Sequence, residues 1–200
     1  MSYTVSAYLV NLDSVHKVLG SGNCDLLREI SIAQGDTIAR RNREFKQEIE
    51  GGAPPLEHAL RQLIDGARLT GAHAFQYWYA VELIAAHAGQ PLDLPGLASV
   101  DCSYLDEVGG LLGTAFPISP HHLFPRLLER WPSFGLPAPH DFPVVGFLRA
   151  AECAEVAKPL GTADLEDLEA DGEILEGVED YAKMILAAVA ADSDLLIFYY

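Results

Sequence analysis

Residues 3–10 are rich in β-branched and aromatic side chains (Tyr3, Thr4, Val5, Tyr8, Val10), and residues 194–200 run Asp-Leu-Leu-Ile-Phe-Tyr-Tyr. Both patterns predict strands. An apolar terminal segment left unpaired would fray and expose its hydrophobic surface, so the two are expected to share one sheet. Between them the period is mainly helical. Asn23 is placed to cap a helix that begins at residue 24 or 25, and Gly35-Asp36 breaks it. Over residues 37–50, Ile38, Phe45 and Ile49 lie on one face; Arg40, Arg41, Arg43 and Lys46 fill much of the remainder and read as a solvated face. Pro54-Pro55 restarts the chain as a helix over 55–67, with Leu56, Leu60, Leu63 and Ile64 as its core stripe. Residues 72–88 are apolar around nearly the whole circumference, including Phe75, Tyr77, Trp78, Tyr79 and Ile84, which predicts a buried helix.

Prolines then interrupt the pattern between residues 89 and 143. Short helices are expected at 101–112 and 122–130, and 132–143 reads as a looser connector or subdomain boundary. Residues 142–148 predict a strand and 150–160 a helix. A last helix over 173–191 carries Leu175, Val178, Ala182, Ile185 and Val189 at three- and four-residue spacing. The expected fold is α+β: a mostly helical single domain over residues 1–200, with a small sheet that includes the N-terminal and C-terminal strands.

Composition narrows the class. The 200 residues are 50% hydrophobic, which excludes a disordered chain. Three scattered cysteines form no disulfide framework and no metal-ligand spacing, and residues 1–20 lack the pattern of a secretory signal. A cytoplasmic protein is expected. The uncharged stretch 108–125 holds three prolines and two histidines, so no membrane span is expected. Charge is uneven. Lys and Arg number 13 against 29 Asp and Glu, a formal net of −16, and residues 150–200 hold 13 acids against two lysines. The first 50 residues are nearly balanced, with seven acids and six bases. Such a field opposes nucleic acid and anionic membrane surfaces and attracts a basic protein partner. Helical spacing places Glu169, Glu173, Glu176 and Asp180 on one expected acidic ridge.

Catalytic motifs are missing: no nucleophile elbow, phosphate-binding loop, zinc-protease helix or dinucleotide fingerprint occurs. No catalytic residue, metal ligand or cofactor is therefore expected. Residues 167–172 (Asp-Leu-Glu-Ala-Asp-Gly) resemble half a calcium loop, but Val178 stands where the bidentate Glu belongs. The alternative site lies beside the aromatic helix 72–88, where His73, Gln76 and His87 fall within about 60° of one another. The two histidines are ~21 Å apart along such a helix and cannot share one metal ion.

The segment Gly146-Phe147-Leu148-Arg149-Ala150-Ala151-Glu152-Cys153-Ala154-Glu155-Val156, followed by an acidic helix and the closing strand, resembles the C-terminal half of the bacterial YfbM-like proteins and related families of unknown function. The opening strand and Ala59-Leu60-Arg61-Gln62-Leu63-Ile64-Asp65-Gly66 are similar too. The resemblance implies helices against a small sheet and no activity. The expected function is a non-catalytic binding or interaction module of immunity or regulatory type, acting through an acidic surface. The alternative is a small-molecule binder or enzyme with its pocket beside helix 72–88.

Overall fold

The computed structural model describes residues 3–161, 165 and 168–200. β1 (Val5–Val10) leads into α1 (Leu12–Val18). α2 (Cys24–Ala33) starts where the cap predicts, with Asn23 Oδ1 accepting from the Leu26 amide at 3.0 Å. α3 (Gly35–Glu44) and α4 (Lys46–Glu50) follow, divided at Phe45. α5 (Leu56–Asp65) begins after Pro55 and ends on Gly66, whose φ of +69° is the left-handed conformation that glycine adopts most readily. α6 (Ala74–Ala88) is the aromatic helix, and β2 (Gln90–Pro91) and α7 (Cys102–Ala115) come next. The helix expected over 122–130 does not form. Short 3₁₀ turns stand at Pro120–His122 and Arg126–Glu129, because Pro125 would interrupt an α-helical hydrogen-bond ladder there. β3 (Val144–Leu148), α8 (Ala150–Leu160), α9 (Gly172–Ala190) and β4 (Asp194–Tyr199) complete the chain.

The architecture is α+β, with a small four-stranded sheet in the order β2-β1-β4-β3. β4 is the centre. β1 pairs with it antiparallel from Val5 opposite Tyr199 to Val10 opposite Asp194. β3 pairs with its other edge, from Val144 opposite Tyr199 to Leu148 opposite Leu195. β4 is buried on both faces, which suits its continuous apolar run. Leu195, Leu196, Ile197 and Phe198 are all fully buried. The two terminal strands thus lie in one sheet, as their composition predicts.

The chain folds as two compact units. The first combines Met1–Asn11, Pro91–Pro132 and Val144–Tyr200. It contains the pairing of β1, β4 and β3, with α9 packed against β1, α7 and α8. Its core includes Leu105, Val108, Leu148, Val178, Met184 and Ile185. The second combines Leu12–Gln90 and Ser133–Pro143. α6 is its centre, packed against α1, α2 and α5 and buried on nearly every side, which is the outcome expected for a helix without a polar face.

The proline-spaced stretch expected as a connector has unit boundaries at both ends, but its interior is part of the second unit's core. Trp78 Nε1 donates to Pro137 O at 2.9 Å, and Phe134 stacks on both Trp78 and His16. Among the described residues, no helix is long and apolar enough to cross a membrane.

Candidate functional site

Three concavities merit attention, two of them in the second unit. The larger, about 590 Å³, is shallow and built where α1 and α5 end. Gly20 and Gly66, both with positive φ, meet there: a Cβ on Gly66 would stand 3.0 Å from Gly20 Cα. His16, Gln62 and residues 134–137 complete its walls.

The second cavity, about 340 Å³, lies beside the N-terminal turns of α6. Phe45, Phe75, Tyr79 and Phe142 supply its aromatic walls, His140 an imidazole, and Glu48 and Asp141 its carboxylates. Phe45 stands 5.2 Å from Phe75 and 5.1 Å from Tyr79, centroid to centroid, with tilts of 55° and 37°. The rings are therefore inclined to one another and make a concave aromatic wall. α3 and α4 meet at Phe45, and the break between them sets that ring beside α6.

Arg41 is a correction to the solvated basic face expected for residues 37–50. Its side chain is 8% exposed. The guanidinium carbon lies 4.5 Å from the centre of the Tyr79 ring, Nη1 donates to Glu44 Oε2 at 3.1 Å, and Nη2 stands 3.8 Å from Glu82 Oε2. An arginine can be enclosed this way because its planar cation stacks on an aromatic face while carboxylates neutralise it. Burial pushes the Tyr79 phenol up to about 12; Arg41 opposes the rise, and Glu82, Glu44 and Asp141 add to it. The phenol therefore stays neutral.

The third concavity, about 270 Å³, belongs to the first unit, and Asp101, Glu107, Asp171 and Glu173 converge on it. Two of these are helix caps: Asp101 accepts from the Tyr104 amide at the start of α7, and Asp171 from the Glu173 amide at the start of α9. Tyr104 ties the two helices together, its hydroxyl within 2.9 Å of Gly96 O and 2.6 Å of Glu173 O. Hydrogen bonds from Ser103 and the Tyr104 amide hold Asp101 below the usual carboxylate range. Burial raises Tyr104, with Glu176, Asp180 and Glu173 adding to the rise. Both directions fit a standing negative charge at this cleft.

A family model described as a domain of unknown function, DUF7691, matches residues 1–200. The chain belongs to that family. No curated protein and no solved structure matches it. Membership in a family of unknown function agrees with the coarse form of the resemblance drawn from the sequence, and nothing in these comparisons supports a YfbM-like relationship.

The residues singled out in the sequence of this DUF7691 chain fall as follows. Glu173 and Glu176 are exposed on α9, and Glu169 is exposed just before it. Asp180 turns inward: it is 6% exposed, and its Oδ2 accepts from the Gly96 amide at 2.7 Å. On the aromatic helix, Gln76 is fully enclosed, and neither of its amide atoms has a hydrogen-bond partner among the described residues. His73 sits half-buried in the turn before α6, and His87 lies near the far end with Nε2 3.9 Å from Glu29 Oε2. None of the three lines the cavities above. Glu82, on the same helix, is the buried partner of Arg41.

The sequence reading set an alternative pocket beside helix 72–88 but did not name this cavity's lining, because its walls come from α3–α4, α6 and residues 139–142, segments far apart along the chain. The usable signal was the density of rings at positions 45, 75, 79 and 142. Among the described residues, no group of three His, Cys, Asp or Glu is placed to hold a metal ion. Asp167, the first residue of the calcium-like segment, lies outside the described residues. Cys153 is buried, and burial, with Asp194 and Glu152 nearby, pushes its thiol up to about 12, which leaves it protonated and poorly nucleophilic.

Proposed function

We propose that this chain is a non-catalytic binding protein that takes a basic protein partner on the acidic face of its first unit. The observation that carries the reading is the cleft where Asp101, Glu107, Asp171 and Glu173 converge with no Lys or Arg among its lining residues. Glu169 and Glu176 extend the same charge along the chain on either side of Glu173. A concave surface of one sign focuses its field and raises the encounter rate with a cationic partner more than it raises affinity.

The test uses Glu107, Glu173 and Glu176, all exposed and none of them a cap. Asp101 and Asp171 are spared because they cap helices, and Asp180 because it is buried. The three are reversed to Lys, and association with a basic partner isolated from the host and purified is followed at low and high salt. A slower on-rate in the variant, with the difference closing as salt rises, supports the reading. An on-rate indifferent to both changes would reduce the acidic face to a solubility device.

A second reading has its own observation: the cavity beside the aromatic helix, with half-buried Phe45, Phe75 and Phe142 on its walls. Apolar cavities with a few polar groups at the mouth are the usual form of small-ligand sites. A fragment screen followed by NMR tests it, and resonances of Phe45, Phe75 and Tyr79 that move for no compound would end it.

A further inference from the structure

The aromatic cavity of the second unit has a more specific chemistry than size and apolarity alone, and the argument rests on the second reading above. Its walls are rings, whose faces carry negative potential. Its carboxylates are Glu48 and Asp141, neither Lys nor Arg lines it, and His140 is its one basic side chain. Both carboxylates are exposed, so they remain solvated at the mouth. Arg41 pairs with Glu44 and Glu82, and Arg40 shares Glu44, so these neighbouring charges balance one another. Arg41 shows that the fold already seats a cation on one of these rings, 4.5 Å from the Tyr79 centroid. It does not itself line the cavity, so the space is free for a second cation.

We propose that this cavity binds a methylated ammonium group, the charged head of a small organic cation or of a methylated lysine side chain, with Phe45, Phe75, Tyr79 and Phe142 around the methyl groups and Glu48 and Asp141 as the counter-charge. The alternatives fit less well. A primary ammonium carries three N–H donors and a guanidinium five, which would depend on the mouth carboxylates as acceptors because the rings supply none. A quaternary ammonium has none, so it loses no hydrogen bond on entering an aromatic wall. A neutral hydrocarbon would fill the space but gain nothing from the two carboxylates or from the ring faces. An anion would meet charge of its own sign.

The probes are choline and its uncharged carbon isostere 3,3-dimethylbutan-1-ol, titrated into the full chain by calorimetry and NMR. The expected result is binding of choline with the isostere weaker by about tenfold or more, since shape and volume are matched and only the charge differs. Glu48→Gln and Asp141→Asn, both at exposed positions, should each weaken choline several-fold and leave the isostere unchanged. Phe75→Leu should weaken choline more than the isostere, and its circular dichroism should match the parent because Phe75 is only half-buried.

A second pair of probes, a trimethyl-lysine peptide and the same peptide unmodified, separates the two sources. Tighter binding of the methylated peptide than of choline assigns the site to a side chain; choline binding alone assigns it to a free small cation. Equal binding of choline and the isostere overturns the cation assignment while the pocket reading stands. Binding of neither overturns the proposal.

Discussion

Gln76 and Asp180 are both enclosed polar residues, but their situations differ. Gln76 lies within α6 with both amide atoms unmatched among the described residues. A buried polar group without a partner costs about 1–3 kcal/mol. Gln76→Met keeps the length and removes the polar atoms, so urea unfolding should shift to a higher midpoint with an unchanged slope. A lower midpoint would show that a water or a ligand satisfies the amide. Asp180 has a partner in the Gly96 amide but is still raised above the usual carboxylate range. Burial is the main cause; the Gly96 amide and Lys183 pull it back, and Asp93 and Glu176 add to the rise. The sign follows from linkage. As pH rises, the unfolded chain releases this proton first, so stability falls between the unfolded and folded pKa values and stays lower above them. Asp180→Asn retains an acceptor oxygen for Gly96 and removes that loss. Its melting temperature should exceed the parent's at neutral pH, and the gain should fade below about pH 4, where the parent is also protonated. A gain that persists in acid would assign the effect to packing.

Among the elements, strands and long helices were legible in the sequence because burial there is a property of the segment itself. The β4 run is apolar from Leu195 to Phe198 and so suits an inner strand, and α6 is apolar nearly all round and so suits a helix covered on every side. Faces were less legible. Helical spacing gives the angle of Arg41 on α3, or of Asp180 on α9, but it does not show that Tyr79 and Glu82 cover the first or that residues 95–97 cover the second. The aromatic cavity was the least legible, since four rings from three separate segments have no spacing to read. Close approach between elements is similarly silent in the pattern, although it leaves a mark in glycine. Gly146 on β3 faces the 3₁₀ turn at Arg126–Glu129 so closely that a Cβ would collide with the Leu127 carbonyl oxygen. The obstacle is backbone, which cannot swing aside. Gly146→Ala should therefore destabilise by at least about 1–3 kcal/mol, the usual cost of overpacking, despite alanine's lower cost to the unfolded chain. Thermal melts read this directly, and a melt equal to the parent's would mean that the turn can move away from β3.

For the whole molecule, the governing quantity is a net charge of −16 on 200 residues. Salt acts on it in two opposite ways. It weakens individual ion pairs, but several of these are exposed: Arg28–Asp25, Arg40–Glu44 and Lys46–Glu50 all have side chains more than 40% exposed. Such pairs are worth about 0–1 kcal/mol each. Salt also screens the repulsion among 29 carboxylates opposed by 13 basic groups, a term that favours the unfolded chain because the charges separate on unfolding. The excess of acids outweighs the few exposed pairs, so raising salt from about 10 mM to 0.5 M, where the Debye length falls from ~30 Å to a few Å, should raise the melting temperature. The same series should slow association with a basic partner, because the field that strains the fold is the field that steers the encounter. The two trends therefore run in opposite directions in one set of buffers. A melting temperature that falls with added salt would show that the ion pairs outweigh the repulsion, and the enclosed Arg41 contacts with Glu44 and Glu82 would then be the first to test by substitution.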